Sequence, residues 1–346
     1  MIRYRPSLFI NKANARNIAY LLQNKQITSA SKLLNKLSSP LGIDLRWGED
    51  KVFTKVRWKP CSSDRAAIEI SPDLPENRIE FFVNRLIFTL PLLTYYHQSS
   101  YFVPGAINLN LDDSADAPGL AFCSNRLDSI LIPDAEFLQT KGYESTRQAM
   151  QENTIYWEDR FPIVFWRGSS TGVRSNDSWK SIPRIQLHRH ILSLNTEYQN
   201  HFDVGVSSLT QLNDWEQKEF LKELKLKPFV PLLEGAVYRY QIDIDGNTNA
   251  WGALFQKLLM GCLVFKVQSP HQFKQWYYTR LEPYVHFVPV KSDLSDLFYQ
   301  VRWALDHPTE AIAIAKKGEQ QAHSMSFHSE LDFAAKVIAN EISKST

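Results

Sequence analysis

The chain has 346 residues, 44% of them apolar and 22% charged, with a formal net charge of +2. That length favours two domains or one large one, and the near-balance of charge argues against nucleic acid as the main ligand. The three cysteines, Cys61, Cys123 and Cys262, are far apart, odd in number and without CxxC spacing, which points to reduced core thiols rather than a disulfide framework or a zinc site.

The N-terminal stretch "MIRYRPSLFINKANARN" is basic, but its apolar patch is too short for a signal peptide. Up to about residue 40 the spacing of Ile18, Leu21, Leu22, Leu33, Leu34 and Leu37 predicts helices. Strand-like "GIDLRW", "KVFTKVRW" and "AAIEIS" follow, then helical "ENRIEFFVNRLIFTL". The longest apolar run, Leu86 to Leu93 in "NRLIFTLPLLTYY", is interrupted by Pro91 and falls short of the roughly 18 residues of a membrane helix. A cytoplasmic protein is expected. Plentiful Lys and Arg and nine tryptophans leave open a loose contact at the inner face of a membrane.

"AINLNLDD" and "SILIPD" are short apolar runs ending in acids, the form of buried strands that deliver polar groups at their C-terminal ends. "STRQAMQENTIYWEDR" reads as a helix leading to a second unit. That unit holds strands "PIVFWRG", "YRYQIDIDG", "CLVFKV" and "VHFVPV" with helices between, and the C-terminal region is helical. Strands alternating with helices predict an α/β fold with parallel sheets. Two such units suggest two Rossmann-like lobes with a cleft between them.

Three constellations carry chemistry. "YRYQIDIDGNTNAWGALFQKLLMGCLVFKV" reads as strand, polar turn, helix, glycine, strand. Trp251, Leu254, Phe255, Leu258 and Leu259 form one helical face, with Gln256 and Lys257 on the other side. Asn247, Thr248 and Asn249 are capping types ahead of the helix, Gly246 relaxes the backbone, and Gly261 ends the helix. Free amides at such a helix start suit a phosphate or a sugar hydroxyl, although any βαβ unit needs caps and glycines. Asp243 and Asp245 also form a D-x-D, a manganese motif elsewhere. The calcium alternative fails because Thr248 and Leu254 stand where an EF-hand loop needs Gly and Glu.

"FWRGSSTG" ends an apolar strand in Arg167, Gly168, Ser169 and Thr171, with Arg174 and Arg184 beyond. Guanidinium groups, hydroxyls and free amides make a diphosphate-binding surface; a solvated loop with a structural arginine is the plainer reading. Neither GxxxxGK[ST] nor GxGxxG occurs. In "INLNLDDSAD", Asp112 and Asp113 should emerge at a strand's C-terminal edge, where a carboxylate can act as a general base or simply cap a turn. His188 and His190 do not share a helix face, and the nine histidines form no HExxH.

These constellations, in this order, together with "WYYTRLEPYVHFVPVKSDLSDL", resemble glycosyltransferase family 90. That family includes bacterial lipopolysaccharide-modifying enzymes, fungal capsule xylosyltransferases and animal protein O-glucosyltransferases. The resemblance implies a GT-B architecture, with an acceptor-side lobe over 1–155 and a UDP-sugar-binding lobe over 156–325. The helix in 326–346 would pack back on the N-terminal lobe. It further implies inverting, metal-independent transfer from a UDP-sugar to a glycan or glycolipid acceptor, such as a lipopolysaccharide core, with no cofactor. By the same resemblance Asp113 is the base, with Asp112 as alternate. Arg167, Gly168, Ser169, Thr171 and Arg184 meet the diphosphate, and Asp245, Gly246, Asn247 and Asn249 face the sugar or ribose. A protein O-glycosyltransferase and a non-catalytic sugar-nucleotide-binding protein are the rivals. The chain departs from the family pattern at Ser170, where the animal enzymes have arginine, and in lacking the proline after the catalytic aspartate.

Overall fold

The computed structural model describes residues 7–38, 40–48, 55–115 and 117–345. The chain divides into two compact units, one running to Gly142 and resuming at Ser326, the other Tyr143–Met325.

The first unit opens with α1 (Ser7–Gln23) and α2 (Ile27–Ser38), which bury Ile18, Leu22 and Leu34. Strands β1 (Gly42–Trp47), β2 (Val56–Ser62) and β3 (Arg65–Ile70) follow, then α3 (Ile79–Gln98), β4 (Ile107–Asn110), β5 (Gly119–Ala121), β6 (Ser129–Leu131) and α4 (Ala135–Gln139). Lys51 to Thr54 of the strand-like run lie outside the described residues. The sheet order is β1-β3-β2-β4-β5-β6, and β2 runs antiparallel to both its neighbours. This unit is therefore mixed rather than parallel. Only Ser63 and Asp64 separate β2 from β3, enough for a hairpin but far short of a parallel crossover. Pro91 sits inside α3, which continues to Gln98 with Leu86, Leu90 and Leu93 buried. No described helix is long and apolar enough to cross a membrane.

The second unit comprises α5 (Glu144–Glu152), β7 (Phe161–Ser169), α6 (Pro183–Ser193), α7 (Thr196–Gln199), β8 (Phe202–Ser208) and α8 (Asp214–Glu223). It continues with β9 (Tyr238–Asp243), α9 (Gly252–Leu259), β10 (Leu263–Val267), β11 (Val288–Val290), α10 (Leu297–Asp306) and α11 (Pro308–Ser324). Here every strand pair is parallel, in the order β11-β10-β9-β7-β8. The first strand, β7, lies between the second and the third, so the chain builds outward in both directions from the β7/β9 boundary. In doubly wound sheets such a switch point opens a crevice at the C-terminal ends of the strands. The final helix, α12 (Phe327–Ser345), returns to the first unit and packs on α3.

Helix α9 corrects the expected amphipathic pattern. Trp251 precedes it with a left-handed φ of 50° rather than joining its apolar face. Gln256 and Lys257 are buried along with Leu254, Phe255, Leu258 and Leu259. The polar pair has partners inside: Gln256 Oε1 accepts from Thr146 Oγ1 at 2.8 Å, and Lys257 Nζ donates to the Ile242 carbonyl at 2.8 Å. The helix stop behaves as expected. Gly261 has φ 66°, its amide donates to the Leu258 carbonyl, and the Cys262 amide reaches back to that of Lys257, the paired bonds of a Schellman cap.

Candidate active site

The loops after β7 and β9 emerge at the switch point, and two of the three sequence motifs lead into them. On the β7 side, Ser169 and Thr171 join their hydroxyls at 3.0 Å. Arg184, in the first turn of α6, donates through Nη1 to Thr171 Oγ1 at 2.7 Å and through Nη2 toward the Ile244 carbonyl at 3.4 Å. Its Nε is buried and has no partner among the described residues. Burial presses the guanidinium toward neutrality, and Asp243 and Asp245 oppose that.

The other arginines of the motif are engaged elsewhere. Arg167 turns to β8, giving hydrogen bonds to Asp203 Oδ1 at 2.6 Å and to the carbonyls of Asp203, Trp166 and Pro228. Gly168 lies against the Trp166 ring, whose Cζ2 would stand 2.8 Å from an added Cβ. Arg174 forks onto Glu216 at 2.6 and 2.9 Å, steadying the capping box that Asn213 and Glu216 form at the start of α8.

On the β9 side, Gly246 is glycine because of what approaches it, not because of its φ. A Cβ there would lie 3.1 Å from Arg184 Nη2 and 3.4 Å from Thr171 Oγ1, so the two loops close against each other at this point. The Gly246 amide donates to the Asn249 carbonyl, and Asn249 Oδ1 accepts from the Trp251 amide. Gln211, just past β8 with φ 59°, ties both loops together. It accepts from the Gly172 amide and donates to Asn247 Oδ1, each at 3.0 Å. Gln211 has no sequence signal of its own, since its place follows from β8, whose apolar centre is short.

The two aspartates of D-x-D diverge. Asp243, fully buried, sits between Lys257 at 3.3 Å and Lys266 at 3.2 Å. Burial works against its ionisation, but the two lysines outweigh it and hold its pKa below the ordinary value. Asp245 is pushed up to about 6, chiefly by burial, with Lys266, Ser269 and Arg184 pulling it down and Asp243 adding to the rise. Its Oδ2 is buried with no partner among the described residues, as are Thr248 Oγ1 and Asn249 Nδ2. With Arg184 Nε, the turn thus holds acceptors and donors without partners, each costing about 1–3 kcal/mol unless something binds them.

A stability prediction follows for Asp245. Its folded pKa lies above the unfolded value, so ionising it in place is unfavourable. The cost is absent well below pH 4, grows as pH rises through about 4 to 6, and levels off above. Asp245→Asn should therefore be more stable than the parent at pH 8, by up to about 3 kcal/mol, with little of that gain left at pH 4. Urea unfolding at both pH values checks this, and a loss at pH 8 would contradict it.

His188 is neutral core: it is 2% exposed, takes the Val206 amide on Nδ1, and has its pKa pushed down to about 4 by burial, with Lys227 and Arg167 adding to the effect.

In the first unit, Asp112 and Asp113 follow the C-terminal end of β4. Asp112 is saturated: Arg78 forks onto both oxygens at 2.8 and 2.9 Å, Lys55 stands 3.7 Å away, and Oδ1 also takes the Asp113 amide. Burial disfavours its charge, yet Arg78, the Asp113 amide and Lys55 keep its pKa low. Asp113 differs. Its Oδ1 accepts from Arg85 Nη2 at 2.7 Å, its Oδ2 has no hydrogen-bond partner among the described residues, and the side chain is 36% exposed.

The model of "Glycosyl transferase family 90" matches residues 108–340, a span that takes in Asp113, the loop after β7 and the turn after β9. The chain belongs to glycosyl transferase family 90. Among curated family relatives, protein O-glucosyltransferase 3 of Homo sapiens is 29% identical over 217 residues, covering 60% of this chain and 38% of its own length. Protein O-glucosyltransferase 2 of Danio rerio is 32% identical over 216 residues, covering 60% and 39%. An uncharacterized protein of Invertebrate iridescent virus 6, 179R, is 27% identical over 290 residues, covering 69% and 24%. The chain thus spans less than half the length of these relatives.

Proposed function

We propose that the chain is a glycosyltransferase that moves a sugar from a UDP-sugar to an acceptor hydroxyl with inversion, on a GT-B framework. The observation that carries this reading is the junction at the β7/β9 switch point. There Arg184, Thr171 and Gly246 close two loops around buried, unpartnered polar atoms. Arg184, Ser169 and Thr171 would steady the departing diphosphate, while Asp245, Asn247 and Asn249 take sugar or ribose hydroxyls. Asp113 accepts the proton of the acceptor hydroxyl. Arg167 serves by fixing β7 to β8, its charge already paired with Asp203.

The decisive experiment is calorimetric titration with UDP, followed by a donor screen. Arg184→Ala should weaken UDP binding by about 1.5–3 kcal/mol, the worth of a hydrogen bond to a charged group. Unchanged affinity would remove the diphosphate site from this junction. We read the turn as working without a metal, because the lysines already neutralise Asp243. EDTA is accordingly expected to leave the transfer rate unchanged, and a loss restored by manganese would reverse that reading.

The acceptor is either a surface glycan such as a lipopolysaccharide core or a protein hydroxyl. The names of the animal relatives favour the protein. Parallel assays with core oligosaccharide and with a serine-bearing protein domain separate the two.

A further inference from the structure

The two carboxylates after β4 are both held from one helix. Arg78 immediately precedes α3 and Arg85 lies two helical turns on, so both guanidinium groups come off one side. Phe81, between them, confirms it: Arg78 stands 4.7 Å from its ring centre and Arg85 4.2 Å. Arg85 is 14% exposed and divides its fork, Nη2 going to Asp113 Oδ1 at 2.7 Å and Nη1 to the Leu111 carbonyl at 2.9 Å. One side chain thereby fixes both the carboxylate and the backbone two residues before it. Phe81 and Phe122, the latter with its ring centre 5.9 Å away, limit where the guanidinium can move.

We propose that Arg85 is a positioning residue for Asp113, clamping Oδ1 and leaving Oδ2 as the oxygen that meets the acceptor. The inference rests on the assignment of Asp113 as base. In the step so arranged, the acceptor O–H proton passes to Asp113 Oδ2 and the acceptor oxygen bonds to the anomeric carbon. The bond from that carbon to UDP breaks, and its electron pair leaves with UDP. Arg85 moves no proton. It sets which oxygen is open and in what orientation, and a misplacement of about 1 Å in such a group costs about 100-fold in rate. Lysine cannot replace it, because a single ammonium lacks the planar fork that reaches both acceptors.

The test uses the full chain and the fastest donor among UDP-glucose, UDP-galactose and UDP-xylose, following release of UDP. Arg85→Ala should lower kcat about 100-fold with the KM for donor unchanged. Added guanidinium ion should restore part of the rate, where equal sodium chloride does not. Arg85→Lys should stay impaired. If Asp113→Asn abolishes turnover while Arg85→Ala keeps its kcat, the positioning role is overturned and the base assignment stands. A kcat lost without guanidinium rescue, whether or not the thermal midpoint falls, also overturns it, since a purely architectural link explains that result. If Asp113→Asn turns over normally, or no donor is turned over, the underlying reading fails and this inference with it.

Discussion

Asp113→Asn is expected to lower the transfer rate by about 10²–10⁴-fold, the usual contribution of a general base, while leaving UDP affinity unchanged. The substitution keeps the shape of the side chain, and its amide oxygen can still accept from Arg85, so the fold should hold. What disappears is an oxygen able to take a proton. Asp112 provides the contrast. Its two oxygens carry the Arg78 fork and the Asp113 amide, so Asp112→Asn should act through the packing of α3 against the β4 turn. A rate for Asp113→Asn within tenfold of the parent, under conditions where donor is saturating, would remove it as the base.

Lys257→Met is expected to destabilise the second unit by about 3 kcal/mol, the lower end of the cost of leaving a buried charge without its partner. Lys257 is 5% exposed and Asp243 fully buried, so neither has water to fall back on. The low end applies because Lys266 still reaches Asp243 Oδ2 at 3.2 Å. Two losses combine: Asp243 Oδ1 loses its cation, and the Ile242 carbonyl loses its donor. Adding Asp243→Asn to the Lys257→Met background should recover part of the loss, since the uncompensated charge is then gone. Urea unfolding measures both; a loss below about 1 kcal/mol for the single variant would mean Lys266 suffices alone.

Much of the architecture is legible in the sequence because apolar runs ending in polar residues mark strands and their C-terminal edges. β4, β7 and β9 are legible that way, and with them Ser169 at the end of β7 and the loops that carry Asp113 and Asp245. The helix stop at Gly261 was legible because a left-handed residue followed by a buried strand leaves few alternatives to glycine. What stayed hidden depends on partners distant in sequence. Phe202–Ser208 has only a short buried centre, with Gly205 between Val204 and Val206, so β8 gives little apolar signal. With it went Asp203, which pairs Arg167, and Gln211, which joins the two loops. Nothing near Lys257 announces that it is buried, since its counter-charge lies on another element. The antiparallel β2 was hidden in a two-residue turn, whose direction follows from length rather than from hydrophobic pattern.

The first unit is assembled from both parts of the sequence, whereas the second is one uninterrupted stretch, Tyr143–Met325. On a ribosome this sets an order of events. The second unit can close once its last residue is clear of the exit tunnel, while α3 waits for α12 to cover it. Until then the part of α3 that α12 covers stays exposed, and shortening the chain before Phe327 should leave it so.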